Sequence, residues 1–88
     1  MAARVEYKAS VARDLRRLGR AEPLRVLERI EEALLSGGRE GEALGGEFHG
    51  LYRLRVGDYR VIYARTDEGY LVLRIGHRRE IYRKGRPR

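Results

Sequence analysis

The sequence contains no cysteine and only two histidines, His49 and His77. Without thiols the chain can form neither disulfides nor thiolate metal sites, and two imidazoles alone are too few for a structural zinc ion. No apolar run approaches the length needed to cross a membrane, and residues 1–4 lead directly into a strand-like segment. We therefore expect neither a signal peptide nor a membrane anchor. Together these absences favour a cytoplasmic protein that carries no metal and no other cofactor.

Lysine is also scarce, because of the 20 basic residues only Lys8 and Lys84 are lysines and the rest are arginines. Residues 1–50 hold nine basic and nine acidic side chains, whereas residues 51–88 hold eleven and four, so the second half supplies the whole net charge of +7. Arginine binds phosphate through two parallel hydrogen bonds and does not lose its proton. This one-sided charge predicts a partner that carries phosphate.

The length of 88 residues predicts a single domain, residues 1–88. A chain of this length buries about 60% of its unfolded surface, which allows one core and a shallow site. Val5 and Tyr7 alternate with polar residues as in a strand. Two amphipathic helices should follow, the first capped by Ser10 and the second ending at residues 36–38. Their apolar stripes are Val11, Leu15 and Leu18 in the first helix and Leu24, Leu27, Ile30 and Leu34 in the second.

Residues 37–50 contain six of the eleven glycines and predict a long loop without regular structure. Leu44 and Phe48 would anchor this loop to the core. Long loops in compact domains are often functional. The sequence shows no repeat, no linker and no second domain.

The strongest local signal is Gly57-Asp58, which separates two alternating runs of β-branched and aromatic residues and is typical of a β-hairpin. A two-residue loop places Arg55 directly opposite Arg60 in the neighbouring strand. A four-residue loop gives the same pairing, whereas a three-residue loop would shift it by one. Because side chains alternate across a strand, Arg53 shares this face with both. The other face then carries apolar and aromatic side chains, namely Tyr52, Leu54, Val56, Tyr59, Val61 and Tyr63.

Like charges directly opposite each other in a sheet destabilise it by about 0.2–1 kcal/mol. A cluster of guanidinium groups that opposes folding is reasonable if a polyanion binds there, and the alternative is a solvated arginine face. A third strand is predicted over residues 70–76, after a turn at residues 66–69. If Glu68-Gly69 forms the loop, Arg60 faces His77, and Arg55, Arg60 and His77 line up across three strands.

The two helices need an apolar surface to cover, and the Tyr/Leu/Val face of the hairpin provides it. The sequence therefore predicts an α+β fold. In this fold two helices from the N-terminal half pack on one face of a small, twisted, mainly antiparallel sheet, and the face that carries the arginines stays open.

Two segments of the chain carry a family pattern, LGGEFHGLYRLRVGDYRVIY at residues 44–63 and LRIGHRREIYR at residues 73–83. With the order strand, helix, helix before them, they resemble the RelE/ParE superfamily of toxins from type II toxin–antitoxin systems. The resemblance covers nearly the whole chain. It implies the RelE-like fold and a cognate antitoxin as partner, which we expect to be small and acidic. RelE-like members cleave mRNA in the ribosomal A site, whereas ParE-like members share the fold and poison DNA gyrase.

The resemblance also implies roles for individual residues. In RelE-like members, the basic residues that match Arg53 and Arg55 contact the RNA and the reacting centre. The arginine that matches Arg60 binds the scissile phosphate, and the one that matches Arg78 stabilises the charge that develops on it. A tyrosine that matches Tyr82 orients the nucleotide or stacks on it. The RNA-binding residues that we predict for this chain are Arg53, Arg55, Arg79 and Arg83.

Proton transfer needs a different residue type. The best-known members carry lysines where this chain has Arg53 and Arg55, and an arginine does not readily accept a proton. We assign proton transfer to His77, since the charge of histidine changes near neutral pH. Glu42 is a second candidate, because a related subgroup places a catalytic glutamate in the equivalent loop. His77, Glu42 and Tyr82 also have structural explanations, as a strand-end residue, a solvated loop charge and a core aromatic.

The resemblance implies an endoribonuclease that needs no metal, because the 2′-hydroxyl of RNA is the nucleophile. The protein must then orient the RNA and surround the phosphorane with cations, which guanidinium groups do well. Two alternatives stay open: a ParE-like toxin that inhibits DNA gyrase without nuclease activity, and a toxin relic that only binds its partner. The expected catalytic set is Arg60, Arg78, Tyr82, His77 and Glu42.

Overall fold

The computed structural model describes residues 3–18 and 22–78 of the chain. In chain order their elements are β1 (Arg4–Tyr7), α1 (Ser10–Arg16), α2 (Glu22–Leu35), β2 (Glu42–Ala43), a 3-10 helix (Gly46–Phe48), β3 (Leu51–Val56), β4 (Tyr59–Thr66) and β5 (Gly69–His77). The sheet has the order β1-β5-β4-β3-β2. Strand β1 pairs with β5 in parallel, and all other neighbours are antiparallel. The predicted α+β fold is confirmed.

The hydrophobic core lies between the helices and the sheet, because α1 packs against β5 and α2 packs against β1 and β3. Val26, Ile30 and Leu34 form the buried side of α2 at the spacing of one helix face. Ile30 and Leu34 belong to the predicted stripe, whereas Leu24 is 74% exposed, so its assignment to the core is wrong. Leu24 precedes Val26 by two residues, which is about 200° around the helix. The sheet contributes Leu54, Val61, Tyr63, Val72 and Ile75 to the core.

A buried carboxylate attaches α1 to the sheet. Strand β1 pairs with β5 only as far as Val72, and α1 packs against β5 as well. Asp14, which is 6% exposed, accepts a hydrogen bond from the backbone N–H of Ile75 at 2.9 Å and another from Arg74 Nε at 3.1 Å. The carboxylate therefore satisfies a strand N–H and a neighbouring guanidinium group at once.

The predicted N-cap of α1 is wrong. Ser10 is the first residue of α1, and Ala9 precedes it without a side-chain cap. The Oγ of Ser10 donates to the carbonyl oxygen of Leu73 at 3.5 Å. Because α1 lies against β5, this hydroxyl reaches the strand instead of the first turn of its own helix.

The prediction that residues 37–50 lack regular structure is also wrong. They contain β2, in which Glu42 pairs with Arg53, and the 3-10 helix. Strand β2 has only two residues, and it is extended because β3 supplies its backbone partners. Leu44 continues this contact by donating its N–H to the carbonyl oxygen of Leu51 at 2.9 Å. Leu44 and Phe48, the predicted anchors, are half-buried.

The hairpin of β3 and β4 has the predicted register, with Arg55 opposite Arg60 and Arg53 opposite Ile62. Arg53, Arg55 and Arg60 therefore share one side of the sheet, which we call the arginine face. The predicted register of β4 with β5 is wrong, because Arg60 faces Gly76 instead of His77.

The error in the second register starts at Gly69. The turn consists of residues 67–68, so Gly69 is the first residue of β5 and not part of the loop. A Cβ atom at Gly69 would overlap the backbone of Arg4, so the close approach of β1 requires glycine at this position. A bulge between Ile62 and Tyr63 then shifts the remaining pairs by one.

Gly41, between α2 and β2, packs directly against the ring and hydroxyl of Tyr63. A Cβ atom at Gly41 would overlap Tyr63 Oη and lie 2.9 Å from Cζ, and the ring of Tyr63 is fully buried in contact with the rings of Tyr52 and Tyr70. We expect Gly41→Ala to lower the free energy of unfolding by about 1–3 kcal/mol, the usual effect of overpacking. Urea-induced unfolding followed by circular dichroism measures this change.

Gly45→Ala is the matched control, because nothing lies within 4 Å of a Cβ atom there and its φ of −120° suits any residue. Combining Tyr63→Phe with Gly41→Ala should restore part of the stability, because the ring carbon Cζ still lies 2.9 Å from the added Cβ atom. This change removes the overlapping hydroxyl, which has no hydrogen-bond partner in the part of the chain that the structure describes. Equal losses for Gly41→Ala and Gly45→Ala would contradict the packing explanation.

Candidate functional site

On the arginine face, charged side chains cover an apolar part of the sheet. Ile62, in the middle of it, is only 6% exposed. The register places Arg53 of β3 and Arg74 of β5 on either side of this isoleucine. Long arginine stems cover apolar surface, and the side chains of Arg53 and Arg74 are accordingly only 25% and 28% exposed. A ligand at this face would therefore meet the guanidinium groups before the sheet.

Arg60 is held at the turn of the hairpin. Its Nη1 donates hydrogen bonds to the carbonyl oxygens of Gly57 and Tyr59, both at 2.9 Å. The backbone N–H of Arg78, which follows β5, donates to the carbonyl oxygen of Asp58 in the same turn at 2.9 Å. Two arginines that are distant in sequence therefore come to the same end of the sheet.

Glu42 lies in β2, at the edge of the arginine face. Its Oε1 accepts hydrogen bonds from Arg53 Nη2 at 2.7 Å and Arg53 Nε at 3.0 Å, and it lies 3.5 Å from Arg55 Nε. The hydrogen bond from Arg53 and the charge of that residue, followed by the charges of Arg55 and Arg60, hold the pKa of Glu42 below its ordinary value. A lowered pKa makes a carboxylate a weaker base, so this arrangement disfavours Glu42 as a proton acceptor.

The ion pairs of Glu42 predict a pH dependence. Since folding lowers its pKa, these contacts stabilise the fold above the unfolded pKa, and their contribution is lost as the pH falls through the folded value. In a carboxyl ¹³C NMR titration, we expect Arg53→Met to raise the midpoint of Glu42 toward the ordinary value of glutamate. Arg65→Met is the control, because Arg65 lies over the ring of Tyr52 on the other face. An unchanged midpoint in Arg53→Met would refute the assigned cause.

His77 does not lie on the arginine face. It faces Tyr59, which shares the helix-covered side of the sheet with Val61, and the two rings meet edge to face with centroids 6.1 Å apart. The expected line of Arg55, Arg60 and His77 across three strands is therefore wrong. The role of His77 in proton transfer stays a prediction.

Several predicted site residues are brought together by the fold. Arg53 and Arg55 contact Glu42, and Arg60 lies opposite Arg55 with Arg78 at the adjoining turn. Three further residues lie outside the residues that the structure describes, so their contacts with RNA stay predictions. These three are Arg79, Tyr82 and Arg83.

Two arginines of the basic half have structural partners that the sequence did not lead us to expect. Arg74 is paired with the buried Asp14, and the guanidinium of Arg65 lies 5.0 Å from the centroid of the Tyr52 ring. The sequence did contain an indication of the Arg74 pair. Asp14 follows Val11 by three residues and so falls on the apolar side of α1, where a carboxylate needs a partner. Part of the excess positive charge therefore supports the fold.

Within residues 3–18 and 22–78, no group of three or more His, Cys, Asp and Glu side chains is placed to hold a metal ion. No helix in these two ranges is long and apolar enough to span a membrane. The charged groups that the site does bring together are the guanidinium groups of the arginine face and the carboxylate of Glu42.

A known family matches the chain along most of its length. The family described as "ParE toxin of type II toxin-antitoxin system, parDE" matches residues 5–82. A search of curated proteins found no match.

Solved structures with this fold include chains from toxin–antitoxin complexes. The protein is 30% identical to a chain of the RelBE2 complex from Mycobacterium tuberculosis, with 89% of this chain and 93% of that chain covered and a TM-score of 0.64. It is 33% identical to a chain of the RelE–RelB complex from Pyrococcus horikoshii, with 89% and 97% covered and a TM-score of 0.62. A chain of the RelB–RelE complex from Methanococcus jannaschii, 24% identical with 92% and 99% covered, has the same fold with a TM-score of 0.70. The protein therefore belongs to the ParE toxin family, within the RelE/ParE superfamily of type II toxin–antitoxin systems.

Proposed function

We propose that this toxin is an endoribonuclease that cleaves mRNA on the ribosome and so inhibits translation. The observation that carries the proposal is the arginine face, where Arg53 and Arg55 lie beside Arg60 with Arg78 at the adjoining turn. Guanidinium groups fit a phosphate, because each donates two parallel hydrogen bonds to its oxygens. The opposed pair of Arg55 and Arg60 is unfavourable for the sheet alone, which supports an anion as the ligand.

The RNA supplies the nucleophile in this proposal. The 2′-oxygen attacks the adjacent phosphorus, the bond from phosphorus to the 5′-oxygen of the next nucleotide breaks, and the products are a 2′,3′-cyclic phosphate and a 5′-hydroxyl. One proton leaves the 2′-hydroxyl to a water molecule and one is delivered to the 5′-oxygen from water, because His77 lies on the opposite side of the sheet from Arg60. Arg60 and Arg78 stabilise the charge on the phosphorane, while Arg53 and Arg55 position the RNA backbone.

Toe-printing of a defined message on translating ribosomes tests the endoribonuclease proposal. Purified toxin should cut the message within the A-site codon, so that primer extension ends there. The upstream fragment should end in a 2′,3′-cyclic phosphate. A message with a single 2′-deoxynucleotide at the cleavage position should stay intact there, because it lacks the nucleophile. Cleavage of that substituted message would contradict the mechanism, and an intact normal message would contradict the proposal.

A cognate antitoxin in the cytoplasm is the partner that we propose. Two of the similar structures are described as complexes of RelE with RelB. A small acidic antitoxin would neutralise part of the +7 charge and cover the arginine face, and its C-terminal part would fold only on the toxin. Co-expression with the adjacent gene should give a stoichiometric complex. Recovery of the toxin alone from healthy cells would contradict this partner.

Inhibition of DNA gyrase is the second candidate function. The observation that favours it is the match to the ParE family over residues 5–82. In this case the message stays intact on the ribosome, and the same toxin preparation produces DNA breaks that depend on gyrase. Running both assays on one preparation separates the two functions.

A further inference from the structure

The carboxylate of Glu42 occupies the edge of the Arg53 guanidinium group to which an oxyanion would bind. Its Oε1 accepts hydrogen bonds from both Nε and Nη2 of Arg53, the pair of donors that guanidinium groups present to carboxylates and phosphates. The same oxygen lies 3.5 Å from Arg55 Nε. One carboxylate therefore faces two arginines, as a bound phosphate would.

The side chain of Glu42 is able to leave this position without disturbing the core. It is 49% exposed, and it belongs to a strand of two residues at the edge of the sheet. The side chain of Arg55 is 61% exposed and that of Arg53 is 25% exposed, so the cluster is open to solvent on the side of Arg55. Exposed ion pairs are weak, so a polyanion with several phosphates competes with this one effectively.

We propose that Glu42 is an internal counter-ion that competes with RNA phosphate for Arg53 and Arg55, and so lowers the affinity of the free toxin for RNA. In the free protein its carboxylate offsets the repulsion between the neighbouring guanidinium groups. When RNA binds, a phosphate takes its place on Arg53. This inference rests on the proposal that the arginine face binds RNA, and it gives Glu42 a role other than proton transfer.

Fluorescence anisotropy with a short labelled 2′-O-methyl RNA tests this competition, since that probe has no free 2′-hydroxyl and is not cleaved. We expect Glu42→Gln to bind the probe about two- to tenfold more tightly near 50 mM salt, because the carboxylate no longer competes with phosphate for Arg53 and Arg55. Each added phosphate contact on a single strand steepens the slope of log K against log salt by about 0.7. The slope of Glu42→Gln should therefore be steeper by about 0.7–1.4.

Glu40→Gln is the matched control. It changes the net charge by the same amount two residues away, but Glu40 lies 3.7 Å from Arg29 of α2 and not on the arginine face. This variant should leave the affinity for the probe nearly unchanged. In an Arg53→Ala background, Glu42→Gln should lose most of its effect, because the competing carboxylate no longer has its main partner.

Three outcomes decide the matter. Equal gains for Glu42→Gln and Glu40→Gln would overturn the proposal, because they would show a general effect of net charge. Unchanged or weaker binding by a folded Glu42→Gln variant would overturn it as well. Binding is measured without ribosomes, so tighter binding by Glu42→Gln alongside an intact message would support the competition and contradict the endoribonuclease function.

Discussion

Arg60→Ala is expected to slow the cleavage of mRNA on the ribosome by about 10²–10³-fold, the usual loss when one pre-organised group that stabilises transition-state charge is removed. Arg78→Ala should have an effect of similar size. Each variant removes a cation that matters most when negative charge peaks on the phosphorane. Arg60 is pre-organised because its guanidinium group is bound to the carbonyl oxygens of Gly57 and Tyr59. The measurement is the rate at which the toe-print appears at saturating toxin.

Arg13→Ala is the matched control for charge, because Arg13 is exposed on α1 and lies away from the arginine face. It should cleave at close to the normal rate. The Tm of each variant should be recorded, so that a lower cleavage rate can be distinguished from a loss of folded protein. Growth inhibition should disappear in Arg78→Ala while the antitoxin still co-purifies. Normal cleavage by Arg60→Ala and Arg78→Ala would refute the proposed phosphate clamp.

Asp14→Ala should be the most destabilising of the single substitutions considered for this protein. It leaves the N–H of Ile75 and the partly buried guanidinium of Arg74 without their shared acceptor. Removing one partner of such a pair lowers the free energy of unfolding by about 2–4 kcal/mol when the other partner keeps some contact with water. For a domain of this size each kcal/mol corresponds to about 4–8 °C, so the Tm should fall by roughly 10 °C or more.

Two controls separate the charge of Asp14 from its hydrogen bond. Asp14→Asn keeps an acceptor for the N–H of Ile75 and loses only the charge, so its Tm should lie between those of the wild type and Asp14→Ala. Glu32→Ala breaks an exposed ion pair with Arg29 and should change stability by less than about 1 kcal/mol. If Asp14→Ala loses no more stability than Glu32→Ala, the buried carboxylate is not what attaches α1.

The hairpin of β3 and β4 could be predicted, once a two-residue loop is assumed, because its determinants are local. A two-residue turn at Gly57-Asp58 leaves one register, and the alternation of side chains then assigns each residue to a face. The pairing of β4 with β5 depends on a distant strand, since Gly69 is required by the backbone of Arg4. Nothing near Gly69 in the sequence distinguishes a turn glycine from one that admits a parallel neighbour.

In the candidate site, too, the local features could be predicted and the long-range contacts could not. The common face of Arg53, Arg55 and Arg60 follows from local alternation and is confirmed by the register. The contact of Glu42 with Arg53 depends on a strand of two residues, which no periodicity reveals. His77 was assigned to the wrong face because a single bulge shifts every pair beyond it by one. A one-residue shift moves a side chain to the other side of a sheet.

The parallel pairing of β1 with β5 has a consequence for how the toxin is made. Each residue of β1 pairs with a residue 65 positions later, from Arg4 with Gly69 to Tyr7 with Val72. The side chain of Asp14 in α1 also has its hydrogen-bond donors, Arg74 and Ile75, in β5. Contacts between such distant segments form late, because a long loop must close first. During synthesis the hairpin is complete before the N-terminal strand has a partner, so we expect the nascent toxin to remain unfolded at its N-terminus until β5 has left the ribosome.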